Sequence, residues 1–314
     1  VTHRRGLAGF NSFWSKYNVE AKNDANEYVG IWGTSLETLN RMFKGVDKVL
    51  YHTVLLYHKL TQLNGDFEPE AEISLATDWT RVDGETFEFT IRDGQQFHDG
   101  EPLTVEDVAF SYNYIVERDA PAMSTQVGYL ADQPAEVIAD NKVRIQLNQT
   151  VGPAHQLVFS KVPIIPQHMW EDRENPAQAN VGEPVGSGPM QVDYWDRGSE
   201  LALEQFEPHH VDFNIDRHIT RVITQSSTQY ELLREGDIHA AGGISRELTE
   251  LEDNPNVEVA AEPSTSFWMF SQNLRTDALQ NKTLRKAAVN ALPRKQVVEQ
   301  ILFGYPEVGT SVVA

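Results

Sequence analysis

The stretch FEFTIRDGQQFHDGEPLTVEDVAFSYNYIV, residues 87–116, decides the fold. Phe87, Phe89 and Ile91 alternate with Glu88, Thr90 and Arg92, which is the period of a half-buried strand. Asp93-Gly94 and Asp99-Gly100 then predict two turns, because glycine accepts a positive φ without a steric cost, with Phe97 anchored between them. Thr104 with Asp107 three residues on has the spacing of a capping box. Behind it, Val105, Val108, Ala109, Tyr112 and Ile115 recur at helical spacing and place one apolar stripe on a helix.

Working outward, strand and helix patterns alternate. Tyr28 to Trp32 predicts a strand, and Lys48 to Lys59 a helix running toward Leu60. Pro134 to Leu147 predicts a strand pair turning at Asp140-Asn141. Leu201–Phe206, Ile219–Ile223, a strand starting at Asp237-Ile238 and Val257–Val259 complete the expected strands. A helix over Gln229–Leu233 should close at Gly236. Thr283–Leu292 reads as a helix with Leu284, Ala287, Ala288 and Ala291 on one face, and Arg294–Phe303 as the next, ending at Gly304.

Composition narrows the function classes. The chain has 314 residues, enough for two domains, and 40% are hydrophobic. With 46 acidic against 26 basic residues the net charge is -20, spread along the chain rather than gathered in a tail. That argues against nucleic acid and anionic membranes as partners. Arg outnumbers Lys, which suits either a salt-loving, haloarchaeal source or an ordinary acidic protein. No window carries the roughly 18 to 20 continuous apolar residues of a membrane span. The absence of cysteine removes disulfides, thiolate metal sites and cysteine nucleophiles.

Arg92-Asp93-Gly94, Phe97-His98-Asp99-Gly100, Pro102-Leu103-Thr104 and Glu106-Asp107-Val108 together resemble the signature of the family 5 extracellular solute-binding proteins. These are the oligopeptide, dipeptide and nickel receptors of ABC importers. The resemblance extends from Tyr28 to Gly309 through Leu75-Ala76, Trp79, Pro166-Gln167-His168, Pro184–Pro189, Gly236-Asp237-Ile238 and the helix pair from Leu284 to Arg294. Arg41, Met190 and Pro293 depart from it, standing where the family usually has proline, an aromatic residue and aspartate.

The resemblance implies an α/β fold of the type II periplasmic-binding-protein kind. Residues 1–40 and 181–270 would form the core of lobe I on a mixed sheet. Residues 41–180 would form an inserted α+β subdomain, and 271–314 the beginning of lobe II, whose remainder is expected beyond this chain. It further implies an extracytoplasmic receptor, exported or lipid-anchored with its leader removed, that captures di- or oligopeptides between two lobes and delivers them to ABC permease subunits. A nickel chelate, an oligosaccharide or another small solute is the alternative ligand, and no cofactor is expected. Candidate ligand contacts are Trp32, Gly33 and Thr34 at the first strand exit, and Phe267, Trp268, Met269, Phe270 and Asn273 along the crossover into lobe II. Plain core is the competing reading for each aromatic.

Other constellations read as follows. A secreted hydrolase would need an acid/base pair, and His98-Asp99 is the most tempting one. The bland reading is a turn histidine whose ring bonds backbone. His209-His210 beside Asp212, Asp216 and His218 suggests a metal cluster. Adjacent histidines on an extended segment point opposite ways, however, so the expectation there is a solvated acidic loop and no metal. Gly186-Ser187-Gly188 reads as a turn rather than a phosphate cradle, because strand-like residues and not a helix follow.

Overall fold

The strand predicted from Phe87, Phe89 and Ile91 is the centre of a four-stranded sheet in the computed structural model. The model describes residues 26–33, 38–40, 42, 55–176, 184–211, 215–242, 246–252, 254–257, 259, 269–304 and 306–308. The chain divides into two compact units, Val1–Thr224 and Gln225–Ala314.

Among the described residues, unit 1 holds two sheets of four strands each. In chain order the strands are β1 (Glu27–Trp32), β2 (Ala76–Arg81), β3 (Thr86–Ile91), β4 (Leu130–Ala139), β5 (Lys142–Leu147), β6 (Met190–Asp196), β7 (Glu200–Gln205) and β8 (Arg217–Val222). One sheet has the order β2-β3-β5-β4 and is antiparallel throughout. Its register sets Phe87 opposite Ile145 and Phe89 opposite Val143, all buried. The other face carries Glu88, Arg144 and Glu136 in line across three strands, with Arg144 Nη2 2.7 Å from Glu88 Oε1. That alternation pins the register, since a one-residue slip would put the charges inside.

The helix α1 (Val105–Glu117) packs against β4. All five residues of the predicted stripe are buried, with Val108, Tyr112 and Ile115 fully enclosed. The capping box forms as expected. Thr104 Oγ1 accepts the Asp107 N–H, and Asp107 Oδ2 accepts the Thr104 N–H at 2.9 Å. Gly94 and Gly100 take φ of 73° and 88°, so both predicted turns need their glycine.

The second sheet is mixed, in the order β1-β8-β7-β6. β1 runs parallel to β8, and the other pairs are antiparallel. Glu27 is register partner to Arg217, and their side chains form an ion pair of 2.8 Å. This sheet therefore draws on both ends of unit 1, while β2 to β5 come from a single continuous stretch.

In unit 2, α2 (Ser226–Glu235) closes at Gly236 with φ 83°. α3 (Lys282–Ala291) is capped by Asn281, whose Oδ1 accepts the Thr283 N–H at 2.9 Å. The segment after Pro293 is helical over Arg294–Gln296, widens to a π turn over Val297–Ile301 and ends near Gly304 at φ 80°.

Three expectations need correction. Asp237-Ile238 continues as bends, not a strand. The described residues Val257 and Val259 are likewise outside any strand. Of the predicted helix Lys48–Lys59, residues 48–54 lie outside the described residues, 55 and 56 are helical, and 57–59 are not. The reason for the last is local. The backbone of Leu56 accepts the Gly188 N–H at 2.9 Å and that of His58 accepts the Ile164 N–H at 2.9 Å, so these carbonyls serve long-range partners instead of a helix.

Candidate functional site

The two glycine-containing motifs of the sequence are partners. His98 N–H donates to the Gly186 carbonyl at 2.8 Å. Its Nδ1 accepts the Gly186 N–H at 3.2 Å, and its Nε2–H donates to the Gly188 carbonyl at 3.1 Å. Both ring nitrogens are thus committed to backbone. Burial lowers the His98 pKa to about 4, with hydrogen bonding to Gly188 opposing part of that shift. Asp99 pairs instead with His168, at 2.9 Å. The His98-Asp99 dyad is therefore not formed, and the reading of a turn histidine bound to backbone holds.

Gly186 and Gly188 have a second role. A Cβ on Gly186 would overlap the Leu56 carbonyl oxygen, and one on Gly188 would overlap the Leu55 carbonyl oxygen. These glycines let two backbone segments touch. β6 begins at Met190 immediately afterwards, so no helix N-terminus is available to hold a phosphate.

Of the candidate ligand contacts, Trp32 and Gly33 lie at the carboxyl end of β1, in unit 1. Trp32 is register partner to Val222 at the end of β8, and its carbonyl accepts the Ile223 N–H at 2.9 Å. The carboxyl ends of parallel strands are the usual mouth of a ligand crevice in α/β sheets. Trp32 is half-buried and Gly33 exposed, so this strand exit offers an aromatic face and a bare backbone. Met269, Phe270 and Asn273 belong to unit 2 and are exposed. Met269 and Phe270 are 61% and 57% exposed. Thr34, Phe267 and Trp268 lie outside the described residues.

The segment after β7 contradicts its sequence reading. It was expected to be a solvated acidic loop with two histidines pointing apart. Instead Phe206 and His209 close a turn through His209 N–H to the Phe206 carbonyl, 2.9 Å. His209 is buried, and the two rings stack with centroids 4.5 Å apart at 28°. The period-two argument fails because the pair sits in a turn, not in extended chain. His58 stacks on both, at 4.6 Å and 5.3 Å. Sequence reasoning missed His58 altogether, since no local spacing ties residue 58 to residues 209 and 210. His218 does not join them. It lies in β8 and stacks on Tyr28 at 5.3 Å. Asp216 Oδ1 accepts from Asn26 Nδ2 at 3.0 Å, and Asp212 lies outside the described residues.

The family model of bacterial extracellular solute-binding proteins, family 5 (middle region), matches residues 70–314. The chain belongs to this family. The oligopeptide-binding protein AppA of Bacillus subtilis is 26% identical over 262 residues, which cover 81% of this chain and 47% of AppA. The solved structure of that AppA in complex with a nonapeptide superposes with a TM-score of 0.78 at 23% identity, covering 90% of this chain and 57% of that one. NikZ from Campylobacter jejuni in complex with Ni(L-His) gives a TM-score of 0.76 at 20% identity, covering 92% and 58%. The chain spans about half the length of the curated relatives it matches. These likenesses establish the periplasmic-binding-protein-like fold, and the family is one of extracellular solute-binding proteins rather than enzymes.

Proposed function

We propose that this chain is the lobe I region, with the opening of lobe II, of an extracytoplasmic receptor that captures di- or oligopeptides and hands them to an ABC permease. The observation that carries the reading is the likeness to peptide-binding proteins, which runs over about four-fifths of the chain. The strand exit at Trp32 and Gly33 suits it chemically. A peptide main chain can pair with exposed backbone as an added strand while its side chains rest on an aromatic face. Met269, Phe270 and Asn273 are the ligand contacts assigned to unit 2. The lobe I core takes residues 1–40 and 181–270, and the inserted subdomain 41–180. The pairing of β1 with β8 and the self-contained sheet β2 to β5 support that division. We read the role as binding without turnover, a reading supported by the bonding of both nitrogens of His98, the most tempting acid/base histidine, to backbone.

The test is incubation with a defined mixture of two- to nine-residue peptides, followed by native mass spectrometry and a mass balance of the mixture. Bound peptides recovered intact support the reading. Cleaved peptides would make the protein a hydrolase. Selective retention of a sugar or a metal chelate would keep the receptor role and replace the ligand.

A further inference from the structure

Three imidazoles from distant parts of unit 1 converge at one buried point. The ligand-capable nitrogens of His58, His209 and His210 all lie within 4.8 Å of one another. His58 and His209 are 6% and 7% exposed, and His210 is half-buried. Among the described residues, neither ring nitrogen of His58 has a hydrogen-bond partner, nor has Nε2 of His209 or of His210, although the Glu72 backbone acts on the His210 ring. Buried polar atoms are nearly always satisfied, so four unsatisfied nitrogens at one place call for a ligand.

The surroundings fix the chemistry. His210 Nδ1 is 2.9 Å from Gln95 Oε1, so it donates there and leaves Nε2 as a free lone pair. His209 Nδ1 faces both the Val211 N–H, at 3.0 Å, and the Val211 carbonyl, at 3.3 Å; an ion on Nε2 selects the tautomer in which Nδ1 donates to the carbonyl. Ligating histidines are held this way, with the second nitrogen donating to a carbonyl or amide. We propose that His58, His209 and His210 form a three-imidazole site for a divalent first-row transition ion, zinc foremost, which fastens the turn at Phe206–Val211 to the chain at His58. Nitrogen ligands without carboxylates select zinc, copper or nickel over calcium and magnesium. A tetrahedral ion needs ligand nitrogens about 3.3 Å apart, so the rings must tilt inward, and solvent supplies the fourth position. Arg92 acts on His209 and His210, and its positive charge opposes the ion. Its side chain is occupied by the Ala71 and Ser74 carbonyls, which leaves the imidazoles free while limiting affinity. The site does not involve the candidate ligand contacts.

The experiment uses the full chain without a histidine tag, stripped with chelator and titrated with zinc chloride by calorimetry. The expected result is one equivalent bound, and a Tm rise of roughly 5–10 °C at a hundredfold excess over Kd. Cobalt(II) in its place should give the visible d–d bands of a four-coordinate centre. His210→Gln, at the half-buried position, should weaken binding at least tenfold, and His58→Gln should abolish it. His168→Gln, at an exposed histidine, should leave it unchanged. The proposal is overturned by no saturable binding up to 100 μM zinc, or by stoichiometric binding that survives His210→Gln.

Discussion

His98 and Gly186 exchange two hydrogen bonds. The His98 backbone N–H reaches the Gly186 carbonyl at 2.8 Å, and the Gly186 N–H reaches His98 Nδ1 at 3.2 Å. Two motifs far apart in sequence thereby lock together. The lock needs glycine, because a Cβ on Gly186 would overlap the Leu56 carbonyl oxygen. Gly186→Ala should therefore destabilise the protein by roughly 3–5 kcal/mol, through forced backbone movement. Gly152→Ala, where a Cβ meets nothing within 4 Å, should change stability by less than about 1 kcal/mol. Urea unfolding of the two variants side by side checks the contrast.

The same histidine makes stability depend on pH. Burial lowers the His98 pKa from 6.5 to about 4, and burial likewise lowers that of His155 to about 4. Between those values the unfolded chain binds protons that the native protein refuses. Stability is therefore full above about pH 6.5 and falls as pH drops toward 4. Each histidine contributes at most about 3 kcal/mol to that loss. Protonating His98 Nδ1 would also break its bond to the Gly186 N–H. Denaturation midpoints measured with chelator present, from pH 7 to pH 4, should fall steadily. A flat profile would contradict the assignment, and His98→Asn should flatten part of the slope.

At the start of α1, Asp107 does more than cap. Oδ2 accepts from the Thr104 N–H at 2.9 Å and the Thr104 hydroxyl at 2.7 Å, while Oδ1 accepts the Gln167 N–H at 2.9 Å. Thr104→Ala should cost about 1 kcal/mol, the usual loss of a cap. Asp107→Ala should cost about 2–3 kcal/mol, because it strands the Gln167 amide as well. Equal costs for the two substitutions in chemical denaturation would mean that the Gln167 contact contributes nothing.

The sequence shows α1 and the two turns before it fully, because each rests on contacts within a few residues. Thr104 and Asp107 cap the same turn, Gly94 and Gly100 satisfy their own φ, and the stripe from Val105 to Ile115 follows helical period. Pairings between distant segments were not legible in the same way. The His98–Gly186 lock and the meeting of His58 with His209 and His210 depend on which distant backbones touch, and neither propensity nor period encodes that. The error at His209-His210 has the same root. A rule for extended chain was applied to a turn whose closure rests on the Phe206 carbonyl. At the candidate site, Trp32 and Gly33 were placed correctly at a strand exit, since the strand YVGIW is visible in the sequence.

Trp32 separates binding from folding. It is half-buried at the end of β1, so Trp32→Ala should lower stability by only about 1–2 kcal/mol. If its ring meets the ligand, the same change should weaken peptide binding by tenfold or more. An unchanged Kd, measured by calorimetry on peptides that bind the unsubstituted protein, would remove Trp32 from the site.

The most direct test of the receptor reading is native mass spectrometry of the protein purified from its own cells, searching for a solute carried through purification. The account predicts a ladder of bound masses spaced by amino-acid residues and released intact on unfolding. Cleavage of peptides added afterwards would contradict it, and a single bound sugar or metal chelate would contradict the peptide ligand while leaving the receptor role.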